Sequence, residues 1–205
     1  MPLAEPLGPG TVHLAIDMQR LFAEATDWHA PALAEILPNV VRLAEAMPHH
    51  TLYARFMVPP NAESATGRWR RYYERWQGVV GEAIDPALLD LVGPLAPLAS
   101  PDRFVDKVGY SAFAGTDLDR RLREAGVDTV IFTGVETDVC VLASLFGAID
   151  LGYRAILVGD ALASSSDDSH DAMLTHLFPR LPEQIEIAST SEIIAAAQRA
   201  GLTRR

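Results

Sequence analysis

Apolar residues along this chain follow two alternating spacings. Short apolar, largely β-branched runs predict six buried strands, at residues 11–16, 51–57, 103–107, 129–133, 154–158 and 184–188. Helical spacing of apolar residues predicts helices at residues 32–47, 67–76, 116–124, 137–151, 166–177 and 191–200. Pro38 lies inside the first of these helices, and we expect it to kink or split that helix.

Alternating buried strands and helices are typical of a parallel sheet that is covered on both faces. The predicted fold class is α/β: a doubly wound, mainly parallel six-stranded sheet with helices on both faces, similar to a Rossmann fold. The length of 205 residues and the hydrophobic content of 49% fit a single domain spanning residues 1–205. Residues 1–10 are expected to form an N-terminal arm.

Composition excludes several classes of function. A formal net charge of −10 argues against a nucleic-acid surface, which needs basic side chains to displace counterions. No stretch approaches the ~20 consecutive apolar residues of a membrane span, and the first ten residues lack the pattern of a signal peptide. With one cysteine there is no internal disulfide. We therefore expect a cytoplasmic protein that acts on a small molecule without nucleic-acid or membrane partners.

Cys140, the single cysteine, follows the fourth predicted strand, after a break at Gly134. Thr137 or Asp138 is suited to cap the next helix, which would place Cys140 in its first turn. The helix dipole there favours the thiolate, and free N–H groups of that turn can bind an oxyanion. A lone cysteine is nevertheless most often a small buried apolar side chain, so Cys140 alone does not indicate catalysis.

Two further polar residues come at the ends of predicted strands: Asp17 after the first and Lys107 at the end of the third. Because parallel strands bring their carboxyl ends to one edge of the sheet, we expect Asp17, Lys107 and Cys140 to lie together. A carboxylate beside a thiol can accept its proton during attack on a carbonyl. A lysine nearby stabilises both anions. The pattern predicts an Asp–Lys–Cys triad for acyl transfer to water through a thioester.

Three segments carry a resemblance to a known family: Asp17-Met18-Gln19 with Phe22, Lys107 with Tyr110-Ser111-Ala112-Phe113, and the run from Gly134 to Cys140. Together they resemble the isochorismatase-like cysteine hydrolases, a superfamily that includes nicotinamidases, N-carbamoylsarcosine amidase and ureidoacrylate amidohydrolases. The resemblance extends from about Thr11 to about Ser191.

That resemblance implies that Asp17 is the base, Lys107 its charged partner and Cys140 the nucleophile. It also implies a cis peptide between Val135 and Glu136, with the N–H groups of Glu136 and Cys140 forming the oxyanion hole. No cofactor is implied. The activity implied is hydrolysis of a C–N bond in a small amide or carbamoyl compound. Two alternatives remain: a vinyl-ether hydrolase of the isochorismatase type, and a binding or thiol-sensing protein that has kept the fold.

Substrate contacts are expected from five residues near the predicted site: Phe22, Arg55, Trp76, Tyr110 and Phe113. Arg55 is suited to hold a substrate carboxylate or carbamoyl oxygen, or to pair with an acidic neighbour. The predicted helix at 67–76 has Trp69, Tyr73 and Trp76 on one face, which is a packing surface or a pocket wall. This face and the habit of the family lead us to expect a homodimer or homotetramer.

No metal is expected. Asp27-Trp28-His29 looks like the Asp-Trp-His motif of metal-dependent nicotinamidases. That motif follows the second strand in the family, whereas here it precedes the first helix. We expect Trp28 and His29 to form a loop over the mouth of the site or to lead into the helix that follows. His13, on the first strand, is expected to be a packed core histidine.

Overall fold

In the computed structural model, which describes residues 3–203, six parallel strands form one sheet in the order β3-β2-β1-β4-β5-β6. The strands are β1 (Thr11–Ile16), β2 (Thr51–Phe56), β3 (Phe104–Lys107), β4 (Thr129–Val135), β5 (Arg154–Ala163) and β6 (Ile185–Ala188). Every residue of β4 is buried, because layers of structure cover both faces of the sheet. The predicted fold class is confirmed.

The α-helices are α1 (Arg20–Ala23), α2 (Leu33–Ala46), α3 (Arg68–Arg75), α4 (Leu118–Glu124), α5 (Leu142–Asp150), α6 (Asp167–Ala172) and α7 (Thr190–Ala200). Helix α2 turns its apolar stripe inward and packs against β4, β5 and α7. Of the predicted arm at 1–10, residues 1 and 2 lie outside the described residues, and Pro9 and Gly10 form a turn that leads directly into β1.

Three details differ from the sequence-based expectations. Helix α2 is not split at Pro38, which lies on its exposed side, where water can hydrate the carbonyl that proline leaves unpaired. Strand β5 continues to Ala163, five residues beyond its predicted end at Val158. Strand β4 does not break at Gly134 but includes it and ends at Val135.

Strands β2 and β3 are added to the sheet on one side of β1, and β4, β5 and β6 are added on the other side. Strand β1 pairs with β2 on one side and with β4 on the other, and the chain builds outward from both. In doubly wound sheets this switch point leaves a crevice beyond the carboxyl ends of the central strands. The fold therefore places the residues that follow β1 and β4 at the opening of one crevice.

Candidate active site

An ion pair between Asp17 and Lys107 lies at the carboxyl ends of β1 and β3. Lys107 Nζ is 2.9 Å from Asp17 Oδ2, and both side chains are fully buried. Lys107 also donates to the Gly109 carbonyl oxygen at 3.2 Å and stands 4.4 Å from the centre of the Phe56 ring. Asp17 Oδ1 is buried and has no hydrogen-bond partner among the described residues. That oxygen is available to accept a proton.

The backbone around Asp17 is held by β2. Asp17 adopts a left-handed conformation with φ of 53°, and its N–H donates to the Ala54 carbonyl at 2.9 Å. The buried Gln19 side chain accepts from the Phe56 N–H at 2.6 Å and donates to the Phe56 carbonyl at 3.1 Å. These bonds fix the chain as it leaves β1, so the carboxylate has little freedom to move.

Gly134 lets β4 approach β1 just before the cysteine. Its φ is +107°, and a Cβ at this position would lie 2.0 Å from the Ile16 carbonyl oxygen. The register with β5 shifts between Phe132 and Gly134, and the peptide joining Val135 to Glu136 is cis. The Gly134 position thus requires glycine both for its conformation and for the close contact.

Cys140 lies in a wide helical turn, Thr137–Val141, that precedes α5. The Cys140 carbonyl accepts a 2.7 Å hydrogen bond from the buried Ser144 hydroxyl, which itself accepts from the Ala112 N–H at 2.9 Å. Ser144 therefore ties the cysteine to the loop that follows Lys107. Sequence reasoning missed Ser144, which carried no signal beyond its place one turn after the cysteine.

Neither Thr137 nor Asp138 caps this turn, contrary to expectation. The Thr137 hydroxyl donates to the Ala163 carbonyl at 3.1 Å and lies 2.9 Å from His170 Nδ1. The Asp138 carboxylate accepts from the Ser164 hydroxyl at 2.7 Å. Thr137 thus binds the last residue of β5 and His170 of α6, and Asp138 binds Ser164, the residue after β5. These contacts hold the turn that carries Cys140.

Burial governs the electrostatics of the three central residues. Burial raises the pKa of the Cys140 thiol well above its usual range; Asp17 raises it further, and Lys107 opposes this increase. Burial also raises the pKa of Asp17, against the opposing effect of Lys107. Burial alone would lower the pKa of Lys107, but Asp17 and Cys140 outweigh it and the pKa is raised. The helix dipole and Lys107 favour the thiolate at Cys140, but burial outweighs them and raises the pKa of the thiol.

A cavity of about 270 Å³ opens above Cys140. Six aromatic side chains line it, together with polar residues and Val139; the aromatic residues are Phe22, Trp28, Phe56, Tyr72, Trp76 and Tyr110. A larger groove of about 540 Å³ lies between the N-terminal segment and α7, but no candidate catalytic side chain lines it. Of these two cavities, the one at Cys140 has a candidate catalytic side chain in its lining.

Of the five residues expected to contact substrate, Phe22, Trp76 and Tyr110 line this cavity, whereas Arg55 and Phe113 do not. Arg55 is the direct cross-strand neighbour of Asp106 and binds it through two 2.8 Å hydrogen bonds. Its guanidinium also stacks 3.9 Å from the centre of the Phe104 ring. Alternation along β2 turns Phe56 to the cavity and Arg55 away from it.

Phe113 packs against Tyr153, with ring centres 5.9 Å apart, and lies beside Gly147 of α5. It supports the helix that follows the cysteine rather than the cavity wall. We therefore withdraw Arg55 and Phe113 as substrate contacts.

The aromatic helix α3 packs onto its own chain. Tyr73 is buried, Trp69 lies 4.9 Å from the Tyr110 ring centre, and Trp76 reaches the cavity wall. The sequence left two roles open for this face, a packing surface and a pocket wall, and the helix serves as both. The face is not exposed, so it no longer supports the expected homodimer or homotetramer.

Asp27, Trp28 and His29 lie at the cavity lining, as expected of a loop at the mouth of the site. Among residues 3–203, no three His, Cys, Asp or Glu side chains are grouped so that they could hold a metal ion. Asp27 and His29, which line the cavity, are therefore not part of a group of three such side chains. In that same part of the chain, no helix has the length and apolar composition needed to cross a bilayer.

His13 is packed in the core, as predicted. It is fully buried on β1, with Nδ1 3.2 Å from the Thr51 hydroxyl and Nε2 2.8 Å from the Thr133 hydroxyl. Sequence reasoning could not place His170 near the site, yet the structure brings it against Thr137. Only the packing of α6 beside the cysteine turn makes that contact.

Comparisons with known proteins match most of this chain to one family. The isochorismatase domain model matches residues 11–190. The chain is 32% identical over 147 residues to the isochorismatase family protein YwoC of Bacillus subtilis, covering 72% of this chain and 77% of that protein. It is 26% identical to enterobactin synthase component B of Escherichia coli over 180 residues, which are 88% of this chain and 61% of that protein.

Solved structures show the same fold. A cysteine hydrolase from Pseudomonas syringae pv. phaseolicola superposes with a TM-score of 0.82 at 28% identity, covering 98% of both chains. A pyrazinamidase/nicotinamidase from Streptococcus mutans superposes with a TM-score of 0.65 at 30% identity, covering 87% of this chain and 99% of that one.

Proposed function

The chain belongs to the isochorismatase family of hydrolases, and we propose that it cleaves the C–N bond of a small amide or carbamoyl compound through a thioester at Cys140. One observation carries this proposal: the Cys140 thiol lies beside the buried Asp17–Lys107 pair at the floor of an aromatic cavity. A binding protein has no need of a buried ion pair next to a thiol, since burying both charges costs free energy.

In the proposed first step, Asp17 Oδ1 accepts the thiol proton while Cys140 Sγ attacks the substrate carbonyl carbon. The carbonyl oxygen becomes an oxyanion, which the backbone N–H groups of Glu136 and Cys140 stabilise. Asp17 then returns the proton to the nitrogen, the C–N bond breaks, and ammonia or an amine leaves. Cys140 is left as a thioester.

In the second step, Asp17 takes a proton from water as that water attacks the thioester carbon. The C–S bond breaks, the acid product leaves, and the proton returns to Cys140. Lys107 allows this cycle because it opposes the effect of burial on Asp17, keeping the carboxylate available as a base. Because the pKa of the thiol is raised, the attacking sulfur needs a base to take its proton, and Asp17 is the carboxylate beside it.

Ammonia release across a panel of small amides and carbamoyl compounds tests the proposal. We expect turnover by the wild type, none by Cys140→Ala, and nearly none by Cys140→Ser, whose alcohol needs a stronger base than a thiol. Intact-protein mass spectrometry of the wild type should show an acyl adduct on Cys140 where deacylation is slow. Circular dichroism checks that each variant is folded.

Substantial turnover by a folded Cys140→Ala protein would contradict the thioester mechanism. Turnover of vinyl-ether substrates without ammonia release would favour the ether hydrolase. Silence of pure wild-type protein across the whole panel would favour a binding protein.

A further inference from the structure

Aromatic rings form the walls of the cavity above Cys140. Trp28 is the centre of this cluster, with ring centres 6.0 Å from Phe22, 5.3 Å from Phe56 and 5.9 Å from Tyr72. Trp76 continues the wall, 6.4 Å from Tyr72. Such walls stack against flat groups, and their faces attract cations through the negative potential of the ring.

The charges at this cavity are mostly negative. Asp27 and Glu136 both line it, and the Glu136 carboxylate accepts a 2.9 Å hydrogen bond from the Ser165 N–H, which fixes its position. Glu136 is also close enough to Asp17, Tyr72 and Tyr110 to raise the pKa of each. Its negative charge is therefore felt both at the floor and along the aromatic wall.

Positive charge is scarce there. Among the described residues no lysine or arginine lines the cavity, and His29 is the one lining side chain that can carry a positive charge. Lys107, below the floor, is buried and paired with Asp17. Arg75 stacks 5.0 Å from the Trp76 ring centre without lining the cavity. A substrate carboxylate entering this cavity would find no lysine or arginine of its lining to bind.

From these three features we propose that the site selects small, flat amides that are neutral or positively charged, that it rejects amides bearing a carboxylate or another anion, and that Glu136 sets this preference. The inference deepens the proposed function and rests on it. The volume of about 270 Å³ limits the substrate to roughly one ring with its amide group.

Cys140 itself provides the test, because it is the single cysteine of the chain and no other thiol competes. Two methanethiosulfonate reagents of similar size are compared, one ending in trimethylammonium and one in sulfonate. In both, the thiolate attacks the sulfenyl sulfur, an S–S bond forms and methanesulfinate leaves. The ratio of the two rates, divided by the same ratio for free 2-mercaptoethanol, reports the charge preference of the cavity without any turnover.

At low ionic strength we expect the cationic reagent to be favoured by at least tenfold. A carboxylate about 6 Å from the probe charge, in surroundings like water, changes the ratio by about tenfold. Glu136→Gln should therefore reduce the normalised ratio by about tenfold, while its amide oxygen can still accept the bond from Ser165. Glu183→Gln is the matched control, since Glu183 is exposed and precedes β6 at the opposite edge of the sheet. It removes the same charge and should leave the ratio unchanged.

A normalised ratio at or below one would overturn the inference, as would equal ratios for the two variants. If neither reagent modifies Cys140, fluorescence quenching decides. All three tryptophans lie in this cluster, since Trp28 and Trp76 line the cavity and Trp69 packs against Tyr110. When the quenching of tryptophan fluorescence by each ion is divided by its value for N-acetyltryptophanamide, caesium should quench more strongly than iodide. The reverse order would reject the inference.

These outcomes are separate from those of the proposed function. Lack of ammonia release would reject the amide hydrolase and leave the reagent ratio unaffected. Conversely, efficient hydrolysis of anionic amides through an acyl-Cys140 adduct would support the mechanism and overturn the charge selectivity.

Discussion

Replacing His13 should change how the stability of this protein depends on pH. His13 lies on β1, four residues before Asp17, and its side chain is fully buried. The Thr51 hydroxyl donates to the Met47 carbonyl at 2.9 Å, so it must accept from His13 Nδ1–H. Nε2, 2.8 Å from the Thr133 hydroxyl, then accepts from it. Both ring nitrogens are satisfied when the imidazole is neutral.

Burial lowers the pKa of His13 from 6.5 to about 3 in the folded protein. In the unfolded chain the imidazole takes up a proton below about pH 6.5, whereas in the folded protein it stays neutral. The unfolded state therefore binds more protons, and the stabilising contribution present above pH 6.5 is lost as the pH falls. Each pH unit in the window from about 6.5 to about 3 costs about 1.4 kcal/mol, so the loss from pH 7 to pH 5 is about 2 kcal/mol.

Urea unfolding of wild type and His13→Gln at pH 7 and pH 5 measures this contribution. Glutamine keeps a donor and an acceptor for Thr51 and Thr133 but does not titrate. The variant is expected to be less stable at pH 7, and the gap to wild type should shrink by about 2 kcal/mol at pH 5. Taking the difference cancels the contributions of the other titrating groups, Asp17 included.

His49→Gln is the matched control, because His49 is exposed in the turn between α2 and β2. It should show the pH dependence of the wild type. If wild type and His13→Gln lose the same free energy of unfolding between pH 7 and pH 5, the buried neutral imidazole is not what sets this slope.

Four further outcomes are expected at and around the site. Asp17→Asn should lower kcat/KM by roughly 100- to 10,000-fold. The wild-type rate should fall as the pH drops through the raised pKa of Asp17, because the protonated acid cannot accept the thiol proton. A rate that falls only at the pKa of an ordinary aspartate would contradict this role. Lys107→Ala should slow alkylation of Cys140 by iodoacetamide at neutral pH, since Lys107 is what lowers the pKa of that thiol, and an unchanged rate would remove the lysine from this role. Gly134→Ala should destabilise the fold by about 3 kcal/mol or more, because the new Cβ would clash with the Ile16 carbonyl oxygen. A melting temperature equal to that of the wild type would refute the close contact. Prolonged chelation should leave activity unchanged, and loss of activity that zinc or manganese restores would show that a metal is required.

The spacing of apolar residues was enough to predict the six strands and their parallel arrangement. Burial of a strand on both faces leaves a continuous apolar run, and this signal is local in the chain. Parallel order then brought the ends of β1, β3 and β4 to one edge, which predicted that Asp17 and Lys107 meet. The structure places their charged atoms 2.9 Å apart.

Other features depended on which residues face each other across the sheet. The sequence left two partners open for Arg55, a substrate or an acidic side chain. Only the register of β2 with β3 places it opposite Asp106. In the same way, Phe113 belongs to a family motif but packs against Tyr153. Register and packing are long-range properties, so spacing along one segment does not contain them.

Sequence alone thus determined which groups are present at the site: a thiol, a carboxylate and an ammonium at the ends of parallel strands. Tertiary structure decided the direction in which the pKa of each group is shifted. The first turn of a helix favours a thiolate at Cys140, but burial outweighs that effect and raises the pKa of the thiol. The reason is that a helix dipole is a local property of the backbone, whereas desolvation is set by every group that the fold packs around the sulfur.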